Sequence, residues 1–268
     1  MSSRSLVRVA ILDDYQNVAL DVADWSPLKN RAEITVFNDH LAPAAQVIER
    51  LTPFDVLCVM RERTPLTREI IAQLPNLKLI ASTGAGNASI DTDAAAERGI
   101  QVVHTGYSST PTIEFAWAMI LAMARNIPVE NQSLREGGWQ LTLGTQLAGK
   151  TLGLLGLGHI GSAVGVIGRA FRMNVIAWSQ NLTAERAESK GVQRVDKDTL
   201  FSSSDFLSIH LRLSERTRGL VGAAELARMK PTSRLVNTSR GPIVDAAALL
   251  AALEKRQIAG AAIDVYDT

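Results

Sequence analysis

Short β-branched runs alternate with helix-like stretches along nearly the whole chain, and the alternation starts twice. Residues 6–12 read as a strand, as do 34–37, 55–60, 77–81 and a short run at 101–103. Between them, the Ala-, Leu- and Glu-rich stretches 41–51, 67–74 and 92–98 read as helices. Strand, helix and strand in repetition call for parallel strands joined by right-handed crossovers, so the expected fold class is α/β with open parallel sheets. At Gly149 the rhythm restarts, with strands at 151–155, 174–178, 192–195, 205–209, 234–237 and 260–264. Helices fill the gaps at 159–171, 184–190, 222–228 and 245–255. Two α/β halves joined near residue 104 are expected.

The joining segment, 104–111, is rich in Gly, Ser, Thr and Pro and reads as a linker. A long helix should follow, with Thr110 as its cap and Pro111 in its first turn. Its body, 115–124, is apolar all round. Such a helix must be covered on every side, by its own domain, a neighbouring domain or a second subunit. The run is too short to cross a bilayer, which needs roughly 20 residues. A second, more polar helical stretch ends near Trp139.

Charge and cysteine content narrow the function classes. Lys and Arg number 28 against 27 Asp and Glu, a net charge of +1. That balance argues against a nucleic-acid-coating or polybasic membrane-surface protein. The one cysteine, Cys58, permits neither an internal disulfide nor a multi-thiolate zinc site. No signal segment opens the sequence. A soluble protein of a reduced compartment, cytoplasmic and without nucleic-acid or membrane partners, is the expectation.

The second half opens with Leu154-Leu155-Gly156-Leu157-Gly158-His159-Ile160-Gly161. A G-x-G-x-x-G pattern is weak alone, but here it follows an apolar strand and starts a helix. In that context Gly156 permits the tight turn, Gly158 lets backbone approach a pyrophosphate, and Gly161 lets the helix pack closely on the sheet. The N–H groups around His159, Ile160 and Gly161, together with the helix dipole, favour a diphosphate. A glycine-rich turn without a ligand is the bland alternative. The next strand should end on an Asp or Glu that holds the adenosine ribose. Ser179 stands there instead, and no acidic residue occurs from Gly156 to Ala184. A 2′-phosphate would meet no repelling carboxylate, and Ser179 and Asn181 could bond to it. No Arg follows Ser179 directly, so NAD and NADP both remain open; Arg186 is a more distant cation.

At Asn237-Thr238-Ser239-Arg240-Gly241-Pro242-Ile243-Val244-Asp245, preceded by Arg228-Met229-Lys230-Pro231, the sequence resembles the signature of the D-isomer-specific 2-hydroxyacid dehydrogenases. Other parts resemble the family in the same order. They are the glycine loop Ser82-Thr83-Gly84-Ala85-Gly86-Asn87-Ala88-Ser89-Ile90-Asp91, the run Gly149-Lys150-Thr151-Leu152-Gly153, the stretch from Asp205 to His210 with Thr217, and Ala261-Ala262-Ile263-Asp264-Val265. The resemblance implies a flavodoxin-like substrate domain over 1–103, incomplete without a C-terminal return helix. It implies a Rossmann-like NAD(P)-binding domain over 104–268, with the active site in the cleft. Residues 104–148 would include the arm through which such enzymes dimerise, which makes a homodimer the expected assembly.

The resemblance also implies a reaction, hydride transfer between NAD(P)H and C2 of a small 2-oxo or 2-hydroxy acid such as glyoxylate, hydroxypyruvate or phosphoglycerate. That chemistry needs a cation on the substrate carboxylate, a general acid and a carboxylate that tunes the acid. Arg240 matches the cation, because a planar guanidinium grips a carboxylate through two parallel hydrogen bonds. Ala85 and Gly86 would offer backbone N–H groups to the same carboxylate. Leu211, Thr217, Thr238 and Ser239 match positions lining the cofactor, and Asp264 matches the residue near the nicotinamide carboxamide. Arg212 stands where the family usually has proline, either as a phosphate contact or as an exposed loop arginine. Arg61 and Arg63, after the third strand, would face the cleft and are candidates for selecting acidic or bulky substrates.

The sequence ends at Asp267-Thr268, before the positions at which the family carries its catalytic glutamate and histidine. None of His40, His104, His159 and His210 stands at the proton-donor position. The expectation is a shortened form of a longer dehydrogenase that keeps dinucleotide and carboxylate recognition. Two alternatives stand beside the enzyme: a dinucleotide-sensing regulator on the same scaffold, as in the C-terminal-binding-protein corepressors, and an inactive fragment.

Overall fold

The computed structural model describes residues 6–266. The chain divides into two compact units, Met1–Ser108 and Ser109–Thr268. The division falls later than residue 103 because His104 still belongs to the last strand of the first unit.

In the first unit the strands are β1 (Val7–Ile11), β2 (Ala32–Val36), β3 (Val56–Val59), β4 (Leu79–Ser82) and β5 (Gln101–His104). They pair in parallel in the order β2-β1-β3-β4-β5. This is the flavodoxin-like order, and it reverses direction between β1 and β3. Helices α1 (Ala44–Leu51), α2 (Arg68–Ala72) and α3 (Thr92–Glu97) return the chain between strands. Two of them start where a side chain caps the first turn. Thr67 accepts from the amide of Ile70, and Asp91 accepts from that of Ala94. Ala10, Leu57 and Ile80 from the sheet are fully buried beside Leu51 and Ile71 from the helices.

The second unit begins with α4 (Thr110–Ala124) and α5 (Ile127–Arg135). Then come β6 (Thr151–Leu155), α6 (His159–Ala170), β7 (Asn174–Trp178), α7 (Ala184–Glu188), β8 (Gln193–Arg194), α8 (Lys197–Ser203) and β9 (Phe206–Ile209). The remaining elements are α9 (Ala223–Arg228), β10 (Arg234–Asn237), α10 (Ala246–Glu254) and β11 (Gly260–Ile263). The six strands are parallel in the order β11-β10-β9-β6-β7-β8. That is the Rossmann order, with its reversal between β6 and β9. Leu154, Phe206 and Val236 pack on one face with residues of α4 and α6. Leu155, Leu207, Ile209 and Leu235 pack on the other with α8, α9 and α10.

One sequence expectation changes here, at the start of α4. Ser109, not Thr110, is the residue before α4; Thr110 is its first helical residue, and Pro111 takes the second position, where its missing N–H costs nothing. The apolar body of α4 is covered unevenly. Ala116, Trp117, Ile120 and Ala124 are buried in the unit's own core, and the Trp117 indole N–H donates to the Val164 carbonyl at 3.2 Å. Phe115 on the same helix is 45% exposed. Among the described residues no helix is long and apolar enough to cross a membrane.

Helix α6 carries Gly161, Gly165 and Gly168 on its buried side. A Cβ on Gly168 would come within 2.7 Å of Leu152 Cδ2, and one on Gly165 within 3.1 Å of Leu154 Cδ1. The helix therefore rests on β6 at a separation that side chains at these positions would not permit.

Candidate functional site

Parallel strands place all their carboxyl ends on one edge of each sheet, and the sequence-predicted residues of the second unit gather there. Gly156 follows β6 with φ at +104°, a conformation that disfavours any side chain. A Cβ there would lie 2.6 Å from the His210 carbonyl oxygen. A Cβ on Gly161 would lie 2.2 Å from the Gly156 carbonyl oxygen. Gly158 is different, since a Cβ there would meet nothing within 4 Å among the described residues. Two glycines thus wedge strand, turn and helix together, and the third faces open space. The first helical hydrogen bond of α6 runs from the Ser162 amide to the Gly158 carbonyl at 2.9 Å. The amides of His159, Ile160 and Gly161 precede it, at the positive end of the helix dipole.

Beside this turn lie the ends of β9, β10 and β11. Ser208, His210, Thr238 and Asp264 share one face of the sheet, since Val236 pairs with Ser208 and Asn237 with both Ile209 and Ile263. Three buried side-chain atoms in this strip, Ser208 Oγ, His210 Nε2 and Thr238 Oγ1, have no hydrogen-bond partner among the described residues. Buried polar atoms are nearly always satisfied, so unpaired ones at a strand edge mark a place for another polar group. Burial pushes the His210 imidazole down to about 4, keeping it neutral at ordinary pH. Desolvation raises the Asp264 carboxyl above its ordinary value.

Arg240 stands on a loop fixed by a residue to which the sequence reading gave no role. Asn237, 1% exposed at the end of β10, accepts from the Ser239 amide at 3.0 Å and donates to the Arg240 carbonyl at 3.0 Å. The Ser239 hydroxyl donates to the Ile209 carbonyl at 3.0 Å, tying the loop to β9. Arg240 is exposed, and its guanidinium donates to the Ser239 carbonyl at 2.8 Å. Leu211 lies against the glycine turn, its Cδ2 2.9 Å from where a Gly156 Cβ would be. The Thr217 hydroxyl sits within the loop after β9, donating to the Arg212 carbonyl at 2.7 Å and accepting from the Ser214 amide at 2.8 Å. In this structure its role is to close that loop.

Ser179 follows β7 and is half-buried, and its carbonyl accepts from the Leu182 amide at 3.0 Å. Here the structure supplies a cation the sequence reading missed. Arg194, from the neighbouring β8, donates through Nε to the Leu182 carbonyl at 2.7 Å. Fifteen positions separate it from Ser179 in sequence, and only strand pairing brings it to this turn.

In the first unit, the glycine loop after β4 exposes Ala85 and Gly86 at its tip. Gly84 has φ at +90° and donates its amide to Thr105 Oγ1 at 2.8 Å. The two arginines after β3 have separate fates. Arg61 lies across the loop, with Nη1 2.6 Å from where a Gly84 Cβ would be. Arg63 is turned inward, donating to the Asp13 carbonyl at 2.6 Å and stacking 4.4 Å over the Tyr15 ring.

Residues 117–268 match the profile described as the NAD binding domain of the D-isomer specific 2-hydroxyacid dehydrogenases. The chain belongs to this family. A hydroxypyruvate reductase from Thermotoga maritima is 38% identical over 254 residues, covering 94% of this chain and 81% of the relative. A D-3-phosphoglycerate dehydrogenase from Synechocystis is 38% identical over 267 residues, 98% of this chain but 47% of the relative. The chain thus spans about half the length of the phosphoglycerate dehydrogenases it matches. The solved phosphoglycerate oxidoreductase from Vibrio cholerae superposes with a TM-score of 0.91 at 39% identity, over 98% of this chain and 85% of that one. The wedge of Gly156 and Gly161, the open approach at Gly158 and the unpaired polar strip fit the dinucleotide for which this family domain is named.

The His210 setting makes stability depend on pH. An imidazole that titrates near 6.5 when unfolded and about 4 when folded takes up its proton on unfolding between those values. Folding stability therefore falls as pH drops through that window, by about 2 kcal/mol at pH 5 relative to neutral pH. Urea unfolding of wild type and His210→Leu at about pH 7.5 and pH 5 should show a shallower pH dependence in the variant by that amount. Equal pH dependence would exclude this role for His210.

Proposed function

We propose that this family member serves as an NAD(P)-dependent oxidoreductase acting on a small 2-oxo or 2-hydroxy acid. The glycine turn at the reversal of the second sheet carries the reading. Gly156 and Gly161 bring backbone against backbone, and Gly158 leaves an unobstructed approach to the amides of His159, Ile160 and Gly161. Those amides would hold the diphosphate. Ser179 would face the adenosine ribose, and Arg194 beside it would favour a 2′-phosphate over repelling one. Asp264 and Thr238 would orient the nicotinamide carboxamide. When bound, the nicotinamide supplies or accepts a hydride at C4.

Arg240 would hold the substrate carboxylate and polarise the adjacent carbonyl, which builds negative charge on its oxygen as hydride arrives. Asn237 keeps the Arg240 backbone in place, so the guanidinium starts from a defined base. Ala85 and Gly86 would contribute amides to the carboxylate, with Arg61 as the nearby cation that discriminates among acids. The relatives named hydroxypyruvate reductase, glyoxylate reductase and phosphoglycerate dehydrogenase support this substrate class.

A homodimer is the proposed assembly. Phe115 of α4, Leu134 of α5, and Trp139, Leu141 and Leu143 beyond it are 45%, 60%, 72%, 64% and 94% exposed. So many large apolar side chains within one short stretch suit a second copy of the chain.

Titration with NAD and NADP, followed by reduction of a panel of 2-oxo acids by the gene product containing this chain, tests the reading. Dinucleotide binding without turnover would favour a regulator instead. Gly158→Ala should leave stability within about 1 kcal/mol yet weaken dinucleotide binding at least about tenfold. Gly161→Ala should also destabilise the fold by about 1–3 kcal/mol, because its Cβ meets backbone. Arg240→Lys should lower kcat/KM by about a hundredfold, through loss of the two-pronged grip, with dinucleotide affinity unchanged in calorimetry. Trp139→Glu combined with Leu143→Glu should convert a dimer to a monomer in analytical ultracentrifugation, and a dimer unaffected by both would place the interface elsewhere.

A further inference from the structure

Asp13 is a buried carboxylate that no part of the proposed chemistry uses. It follows β1 at the point where the first sheet reverses, is 1% exposed, and has φ at 59° without being glycine. A side chain in that backbone region is uncommon, and such residues collect at functional sites. Its Oδ2 accepts from the Thr64 hydroxyl at 2.7 Å, and Oδ1 pairs with His40 Nδ1 at 2.8 Å. Its carbonyl accepts from Arg63 at 2.6 Å. Every one of these partners lies on the loops after β2 and β3, so the carboxylate ties the ends of three adjacent strands together.

Three residues before Thr64 stands a second left-handed residue, Arg61, with φ at 53°. Both of its backbone groups are held by the glycine loop. Its amide donates to Thr83 Oγ1 at 3.0 Å, and its carbonyl accepts from Asn87 Nδ2 at 2.5 Å. Asn87 also accepts from the Ser89 amide at 2.9 Å and donates to Ser82 Oγ at 3.1 Å, so one side chain sets the loop and Arg61 at once. The result is a guanidinium lying across Gly84, one residue from the exposed tip at Ala85 and Gly86. An arginine is a flexible side chain that loses rotamer freedom when held in place. The exposed Glu62 carboxylate lies 3.9 Å from Arg61 Nε, and a fixed backbone beneath the side chain lowers the remaining cost. The glycine loop fixes Arg61 from one side; Asp13, through Thr64 and Arg63, fixes the residues that follow it.

We propose that Asp13, acting through Thr64, is a positioning residue that holds Arg61 over the glycine loop and thereby sets how tightly that loop grips the carboxylate of a small organic acid. The proposal rests on the reading of Ala85 and Gly86 as carboxylate donors. It assigns to Asp13 no contact with substrate and no proton transfer.

The test uses Thr64→Val, which keeps the shape and removes the hydroxyl donor, and Thr64→Ser, which restores the donor. Binding of oxamate, an unreactive mimic of a 2-oxo acid, is measured by calorimetry with saturating dinucleotide, alongside KM and kcat for the best 2-oxo acid. Hydrogen exchange of residues 61–64 and 83–87 is followed in the same proteins. Thr64→Val should raise the oxamate Kd and the KM about five- to twentyfold, for loss of a hydrogen bond to a charged group, and change kcat less than about twofold. Exchange should quicken in 83–87 as well as in 61–64, and Thr64→Ser should restore all three readouts. A folded Thr64→Val with unchanged KM and unchanged exchange in 83–87 would overturn the proposal, as would a serine variant that fails to rescue. A wild-type protein that neither binds oxamate nor reduces any 2-oxo acid would sink the functional reading; it would remove the carboxylate grip with it, and exchange would then decide the Asp13–loop coupling alone.

Discussion

Parallel pairing is the constraint from which the rest follows. Every strand in both sheets points the same way as its neighbours, so each strand end that carries a loop toward function emerges on one edge. Where the strand order reverses, the flanking helices lie on opposite faces and the loops diverge, leaving a crevice that the fold does not itself fill. In the second unit that point lies between β6 and β9, and the glycine turn, His210 and Leu211 meet there. In the first it lies between β1 and β3, and Asp13 meets Arg63 and Thr64 there.

The two units solve a similar problem with similar chemistry. Each presents an arginine from a loop, and each anchors that loop with a buried polar side chain making several hydrogen bonds at once. Asn237 bridges Ser239 and Arg240 in one unit; Asp13 and Asn87 bracket Arg61 in the other. Such side chains are costly to bury and contribute little to a core, so their value lies in fixing one loop conformation among many. The adjacent apolar clusters supply the rigid base, with Leu57, Ile80, Leu235 and Val236 fully buried.

The strands were legible because their signal is local. The bounds of β6, β7 and β10 emerge as read, since their apolar runs break off at Gly156, Ser179 and Asn237. Helix α8 escaped notice because Lys197–Ser203 holds only Leu200 and Phe201 as large apolar residues, too few for a period to show; its start rests on a capping Asp196. The glycine roles could be read because motif and backbone geometry are the same fact. Which arginine would lie over the glycine loop could not, even though Arg61 has Glu62 as an exposed partner at 3.9 Å. Arg61 and Arg63 look equivalent in sequence, and their difference comes from Asp13, fifty positions away. Arg194 was invisible near Ser179 for the same reason, since strand pairing and not sequence distance brings it there. The neutrality of His210 likewise depends on burial that no short window encodes.

The glycine-rich inner side of α6 has a consequence for how binding could be retuned. From Gly161 to Gly168 the helix runs about 10 Å, and along that length three glycines and Val164 set its seating on β6. A methyl group added near the far end would act as a shim, tilting the axis and swinging the amide-bearing end through an arc. Cofactor grip could therefore drift in evolution through substitutions that never touch the ligand, with the helix serving as the lever and β6 as the fulcrum.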